Sequence, residues 1–161
     1  GRKAALEAIA ALKEYMPGCS AGKLRNFGMT IGIRDTYKID SVYNLSDEDV
    51  KNECRFEDSV GIYPEFIDGF GVLVLPTTGR YMHIPYRSLL PKNIKGLLVV
   101  GRAIGGSNIA HAATRNMACC TVTGQGAGVA AAETIKNKTS LNSVNISNVQ
   151  KLLSKQNVRV F

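Results

Sequence analysis

Between Val99 and Asn116 the chain reads VVGRAIGGSNIAHAATRN, a stretch holding three glycines, two arginines, a serine and a histidine. Gly101, Gly105 and Gly106 permit close backbone approach, and Arg102 can hold a phosphate or a carboxylate. A helix that begins near Asn116 turns its positive end back toward the same place, where an anion or an electron-rich ring would be stabilised. Ser107 and His111 raise the chemistry of a hydrolase. The nucleophile elbow, however, needs GxSxG, and Gly105-Gly106-Ser107-Asn108-Ile109 lacks the closing glycine. The same residues also suit a plain glycine-rich loop with Arg102 and Arg115 in surface ion pairs.

The elements around this junction follow from hydrophobic period. Residues 97–100, LLVV, form a short continuous apolar run, as expected of a strand covered on both faces and ending at Gly101. Such a strand delivers the next loop to the carboxyl edge of a sheet, where α/β folds bind ligands. From Asn116 to Ile135 the chain reads as one helix rich in small residues. Gly124, Gly128 and Ala132 fall four apart on one face of it, open to a second backbone, with Gly126 elsewhere. Its GQGAGV segment imitates a dinucleotide fingerprint, yet Val129 stands at the last glycine position and the segment lies within a helix, so it is not a phosphate loop.

Upstream, Ala5, Ile9, Leu12 and Met16 give a helix over 3–16 with one buried face, stopped by Pro17 and Gly18. Phe27, Met29, Ile31 and Ile33 alternate with small residues, which predicts a half-buried strand ending at Arg34. In the 35–69 stretch only SDEDVKNE is assigned, as a short helix capped by Ser46 with acids in its first turn. Residues 71–75 and 81–87 suggest a hairpin, with a positive φ at Gly79. A last helix carries Val149, Leu152 and Leu153 on one face, and Asn145 can cap it.

At 161 residues and 45% hydrophobic, the chain is long enough for one ordinary core. The net charge of +7 is spread without dense basic clusters, which argues against nucleic acid and leaves a solvated basic surface or a site for an anionic ligand such as a nucleotide cofactor or a carboxylate. The four cysteines show no CxxC spacing and the two histidines have no matching pair, so no metal site is expected. No apolar run approaches the roughly 20 residues of a membrane span.

Beyond these local signals, IGIRDTYKI, YNLSDEDV, IPYRSLLPKNIKGLLVVGRAI and TRNMACCTVTGQGAGVAAAE together resemble a known family. They are similar to the C-terminal portion of FAD-dependent oxidoreductases with a glutathione-reductase-like flavin domain, related to fumarate reductase flavoproteins. The resemblance runs from about Ile31 to Glu133. It implies an α/β fold (α+β for this chain taken alone), the C-terminal part of a two-domain FAD-binding flavoprotein without its N-terminal GxGxxG βαβ unit. Residues 1–95 would then belong to a substrate or cap domain with helix, strands and hairpin. Residues 96–136 would be the returning strand and helix of the FAD-binding domain, and 137–161 a C-terminal linker and helix.

The resemblance further implies that the helix beginning at Asn116 aims its N-terminus at the pyrimidine edge of the flavin. Gly101, Arg102, Gly106, Asn116, Met117 and Ala118 are the cofactor contacts it suggests. Many relatives carry an acid where Arg102 stands, whereas the subfamily this chain looks like also uses arginine. Arg115 is placed to clamp an anionic substrate, or else to form a helix-start ion pair. His111 is placed as a proton donor, or else as a packed loop histidine. Arg34 and the Tyr86-Arg87 pair resemble positions between substrate domain and flavin, or else arginines that support a domain junction. The implied function is hydride transfer between a small anionic substrate and FAD, in a cytoplasmic protein. A chain with only the returning half should bind FAD weakly and not turn over. The alternative is a non-catalytic binding module derived from such a flavoprotein, with an exposed apolar face and self-association.

Overall fold

In the computed structural model, which describes residues 1–69 and 71–161, the chain divides into two units, Gly1–Arg34 and Asp35–Phe161. The first holds helix α1 (Arg2–Tyr15), as the apolar period predicted. None of its residues is buried; Ala5 and Ile9 are half-buried, while Leu12 and Met16 are about half exposed. The strand expected over 27–33 is absent. Met29 is 98% and Ile31 81% exposed, because an alternating pattern becomes a strand only when a neighbour supplies the ladder.

In the second unit the capping chemistry worked as the sequence suggested. Ser46 accepts from Asp49 N–H at the start of α2 (Asp47–Lys51), and Asp49 reaches back to Ser46 N–H at 2.8 Å, a reciprocal capping box. Asn145 likewise caps α5 (Ile146–Lys155), which buries Val149 and Leu153 and leaves Leu152 half-buried.

The sheets differ from the expected hairpin. Strand β1 (Ser59–Pro64) pairs antiparallel with β4 (Tyr81–Pro85), with Ile62 opposite His83 and Pro64 opposite Tyr81. Strands β2 (Ile67–Gly69) and β3 (Val72–Val74) form a separate antiparallel pair. Closing β2 onto β3 spans a much shorter loop than β3 onto β4, and Gly71 stands in the turn at φ +77°. Gly79 also has positive φ, as expected, although it connects strands of different sheets. β4 is buried along nearly its whole length, so it requires the buried β1 beside it rather than the exposed β3.

Residues 97–100 join no sheet among the described residues. Leu97 and Val100 are 42% and 39% exposed, so the expected doubly covered strand is corrected to an extended segment held by Val99 N–H on Leu89 O. Helices and small sheets together agree with the expected α/β class.

The long helix α4 (Met117–Asn137) begins where expected, but a helix not foreseen, α3 (Asn108–Thr114), precedes it. α4 crosses β1, and α5 packs on both. The close approach is made by Gly126, not by Gly124, Gly128 and Ala132. A Cβ on Gly126 would lie 2.7 Å from Val60 Cβ, whereas Gly124 and Gly128 have nothing within 4 Å. Helical spacing showed correctly that the glycines lie on different faces; only the fold decided which face is covered. No helix among the described residues is long and apolar enough to cross a membrane.

Candidate functional site

The glycine loop is held by the chain's own backbone. Ile39 N–H donates to Ala103 O, Gly105 N–H to Ser88 O, Leu45 N–H to Gly105 O, and Ser107 N–H to Leu45 O. A Cβ on Gly105 would fall 1.9 Å from Ser41 Oγ and 2.3 Å from Asn44 Oδ1, so this glycine is required by packing against 41–44. At Gly106 a Cβ would meet Leu45 O at 3.3 Å, again the chain itself. Ser107 is the N-cap of α3: its hydroxyl accepts from Ala110 N–H and donates to Asp47, which leaves it no character of an activated nucleophile.

Gly101 differs. It sits at φ +70°, opens the 3-10 turn Gly101–Ala103, and donates its N–H to Thr123 Oγ1 on α4 at 3.0 Å. That turn packs against α4 and leaves Arg102 exposed.

Asn116 stands at the N-terminus of α4 but does not cap it. Its Nδ2 instead donates to Ala113 O at 2.8 Å and Ala112 O at 3.3 Å, closing the end of α3. The first turn of α4 holds no acid, Met117 is 86% exposed, and Ala118 is exposed as well. A 21-residue helix thus presents its first N–H groups uncapped by its own N-cap side chain. This donor set fits the electron-rich edge of a flavin, and Arg102 adds a cation on the neighbouring turn.

Behind this end, α3 carries His111 and is followed by Arg115. Arg115 is 11% exposed; its Nη2 lies 3.2 Å from Asp68 Oδ2 and donates to Asp68 O on β2. The helix-start ion pair is therefore formed, and both contacts use one nitrogen of a five-donor fork. His111 is 2% exposed, its Nδ1 lies 3.7 Å from Asp35 Oδ2, and its Nε2 is buried without a partner. Burial pushes the imidazole below its ordinary value, against the attraction of Asp35 and a hydrogen bond with the Arg102 backbone. Lys38, 3.1 Å from Asp35 Oδ1, holds that carboxyl low in turn.

Gly101, Arg102, His111, Arg115 and Asn116 thus share one neighbourhood. Cys120 links it further, its Sγ 3.5 Å from Arg115 O and in contact distance of a Cβ built on Gly101. Arg87 takes its partners elsewhere: its Nε lies 3.0 Å from Asp58 Oδ2, and its guanidinium sits 5.0 Å from the Tyr43 ring centroid. Its neighbour Tyr86 is buried and donates to Leu141 O. Arg34 is exposed and belongs to the Gly1–Arg34 unit. Sequence reasoning missed Asp35, Asp68 and Thr123. Asp35 could have been found beside Arg34 in IGIRDTYKI; nothing local marked the other two.

Compared with models of known families, residues 1–153 match the family described as FAD dependent oxidoreductase. No curated protein and no solved structure matches the chain.

Proposed function

This chain belongs to the FAD-dependent oxidoreductase family, whose cofactor is FAD, and on that premise we propose that it serves hydride transfer between a small anionic substrate and the flavin. The observation that carries the reading is the acid-free first turn of α4, uncapped by Asn116 and set beside the Gly101–Ala103 turn. Bound FAD supplies the two-electron chemistry. The N–H groups of Met117 and Ala118 stabilise negative charge on the flavin, Asn116 fixes the α3–α4 junction, and Arg102 supports the anionic side. Gly101 holds the turn in its left-handed conformation, and Gly106 lets the loop lie flat on Leu45.

Arg115 neutralises the substrate's anionic group with the N–H groups not turned to Asp68, and His111 handles the proton. Arg87, paired with Asp58, is a supporting cation of the substrate side. Residues 96–136 form the flavin-facing segment, 1–95 the substrate side and 137–161 a closing linker and helix. The chain carries no GxGxxG after a strand, so nothing in it grips the ADP half, and this chain alone binds FAD weakly and does not turn over.

FAD titration followed by the flavin absorbance spectrum tests this, with Ala118→Glu as the variant. A carboxylate at the helix start should weaken binding a few-fold to about tenfold. Equal binding by both proteins would remove the helix end from the flavin site.

A second reading, a non-catalytic interaction module, is supported by exposed Ile94, Leu97, Met117 and Ile135. Sedimentation over a wide concentration range separates the two: self-association without any flavin binding favours the module, and a monomer that binds FAD removes it.

A further inference from the structure

We propose that Asp35 is a positioning residue for His111, keeping the ring proton on Nδ1 so that Nε2 is the unprotonated nitrogen that takes a proton from the substrate. The inference rests on the flavin reading above. His111 is almost wholly buried, and Nε2 is a sealed polar atom with no protein partner. Buried polar atoms are paired in the great majority of folds, so an orphan on a titratable ring marks a place where a donor is to arrive. Asp35 Oδ2 stands 3.7 Å from the other nitrogen. A carboxylate there favours the Nδ1–H tautomer. The contact is long for a hydrogen bond, as contacts of this kind are before substrate is bound.

The surrounding charges define the role. Asp35 is the anion that favours the imidazolium, helped by a hydrogen bond with the Arg102 backbone, while Lys38 and Arg115 oppose it. On β2, Asp68 is engaged by Arg115, and on α2, Asp47 is engaged by Ser107. With burial added, the resting ring is neutral at ordinary pH and can accept a proton. In the oxidation of a substrate carbon that bears an O–H or N–H group, bound FAD would supply the acceptor for the hydrogen and electron pair of the broken C–H bond. The O–H or N–H bond breaks as well, its proton forms the new N–H bond at Nε2, and the carbon–heteroatom double bond forms. Asp35 then balances the imidazolium.

The test is a nitrogen-15 NMR measurement on the chain without FAD, with labelled histidines. His83 is assigned separately, because its Nδ1 lies 3.1 Å from Phe56 N and 3.3 Å from Phe56 O and can accept from the one or donate to the other. His111 should carry its proton on Nδ1. Asp35→Ala should populate both tautomers of His111 and lower its pKa further, Asp35→Glu should restore the wild-type signals, and the melting temperature should stay within a few degrees. Nε2–H in the wild-type protein, or an unchanged His111 signal in Asp35→Ala, overturns the proposal. The wild-type tautomer decides it even if the alanine variant does not fold. Equal FAD binding by the wild-type protein and Ala118→Glu would overturn the flavin reading instead, and would show in the titration rather than in the tautomer.

Discussion

Gly101 donates its backbone N–H to Thr123 Oγ1 at 3.0 Å, which ties the only left-handed residue of the glycine loop to a fully buried threonine on α4. The loop and the helix that together make the candidate flavin edge are thereby fixed to one another. Thr123→Val keeps the shape and leaves that N–H unpaired, which should cost about 1–3 kcal/mol in urea denaturation. Gly101→Ala should cost about 1–2 kcal/mol through its positive φ alone. A neutral result for both would show the turn is not held from α4.

The three glycines of α4 should respond with opposite signs. Gly126→Ala drives a methyl into Val60 and should destabilise by about 1–3 kcal/mol. Gly124→Ala and Gly128→Ala meet nothing within 4 Å and should stabilise by about 0.5–1 kcal/mol through helix propensity. Thermal melting of the three variants reads the difference directly.

Ala118→Glu should separate folding from binding. A carboxylate in the acid-free first turn of α4 complements the helix dipole and should raise stability by about 0.3–1 kcal/mol, while FAD affinity falls. A loss of stability together with affinity would mean that the residue acts through the fold.

In a longer chain that also carries the ADP-binding half and turns over, Arg115→Ala should lower kcat/KM for an anionic substrate by roughly 10- to 150-fold, the loss of a charged hydrogen bond. Arg115→Lys should recover only part of it, because an ammonium cannot keep Asp68 and a second anion in one planar fork. Equal losses for an uncharged substrate would assign Arg115 to structure.

Stability should fall in two stages as pH is lowered. His83 and His111 are both held below their ordinary value of 6.5, chiefly by burial, so the unfolded chain binds more protons between that value and the folded one. The contribution is complete above about pH 6.5 and is lost as pH falls toward the folded values. Asp49 is held low by Ser46 and Tyr43 against its burial, so its contribution is present above the ordinary 3.8 and is lost below it. Urea midpoints from pH 8 to 3 should show both steps, and His83→Gln should shrink only the first.

The sequence by itself determined the features whose causes lie within one or two helical turns. The capping box at Ser46 and the Asn145 cap are local, because groups three residues apart at a helix start meet whatever the rest of the chain does. The gathering of Gly101, Arg102, His111, Arg115 and Asn116 was legible for the same reason, since all lie within sixteen consecutive positions. Tertiary structure alone decided what each exposed pattern meets. It paired β1 with β4 instead of closing the expected hairpin, left 97–100 outside any sheet, and chose Gly126 as the glycine against Val60. It also brought Asp68 to Arg115, Asp35 to His111 and Thr123 to Gly101. A period or a motif states which face must find a partner; the partner's identity depends on chain closure over many residues, which no single segment encodes.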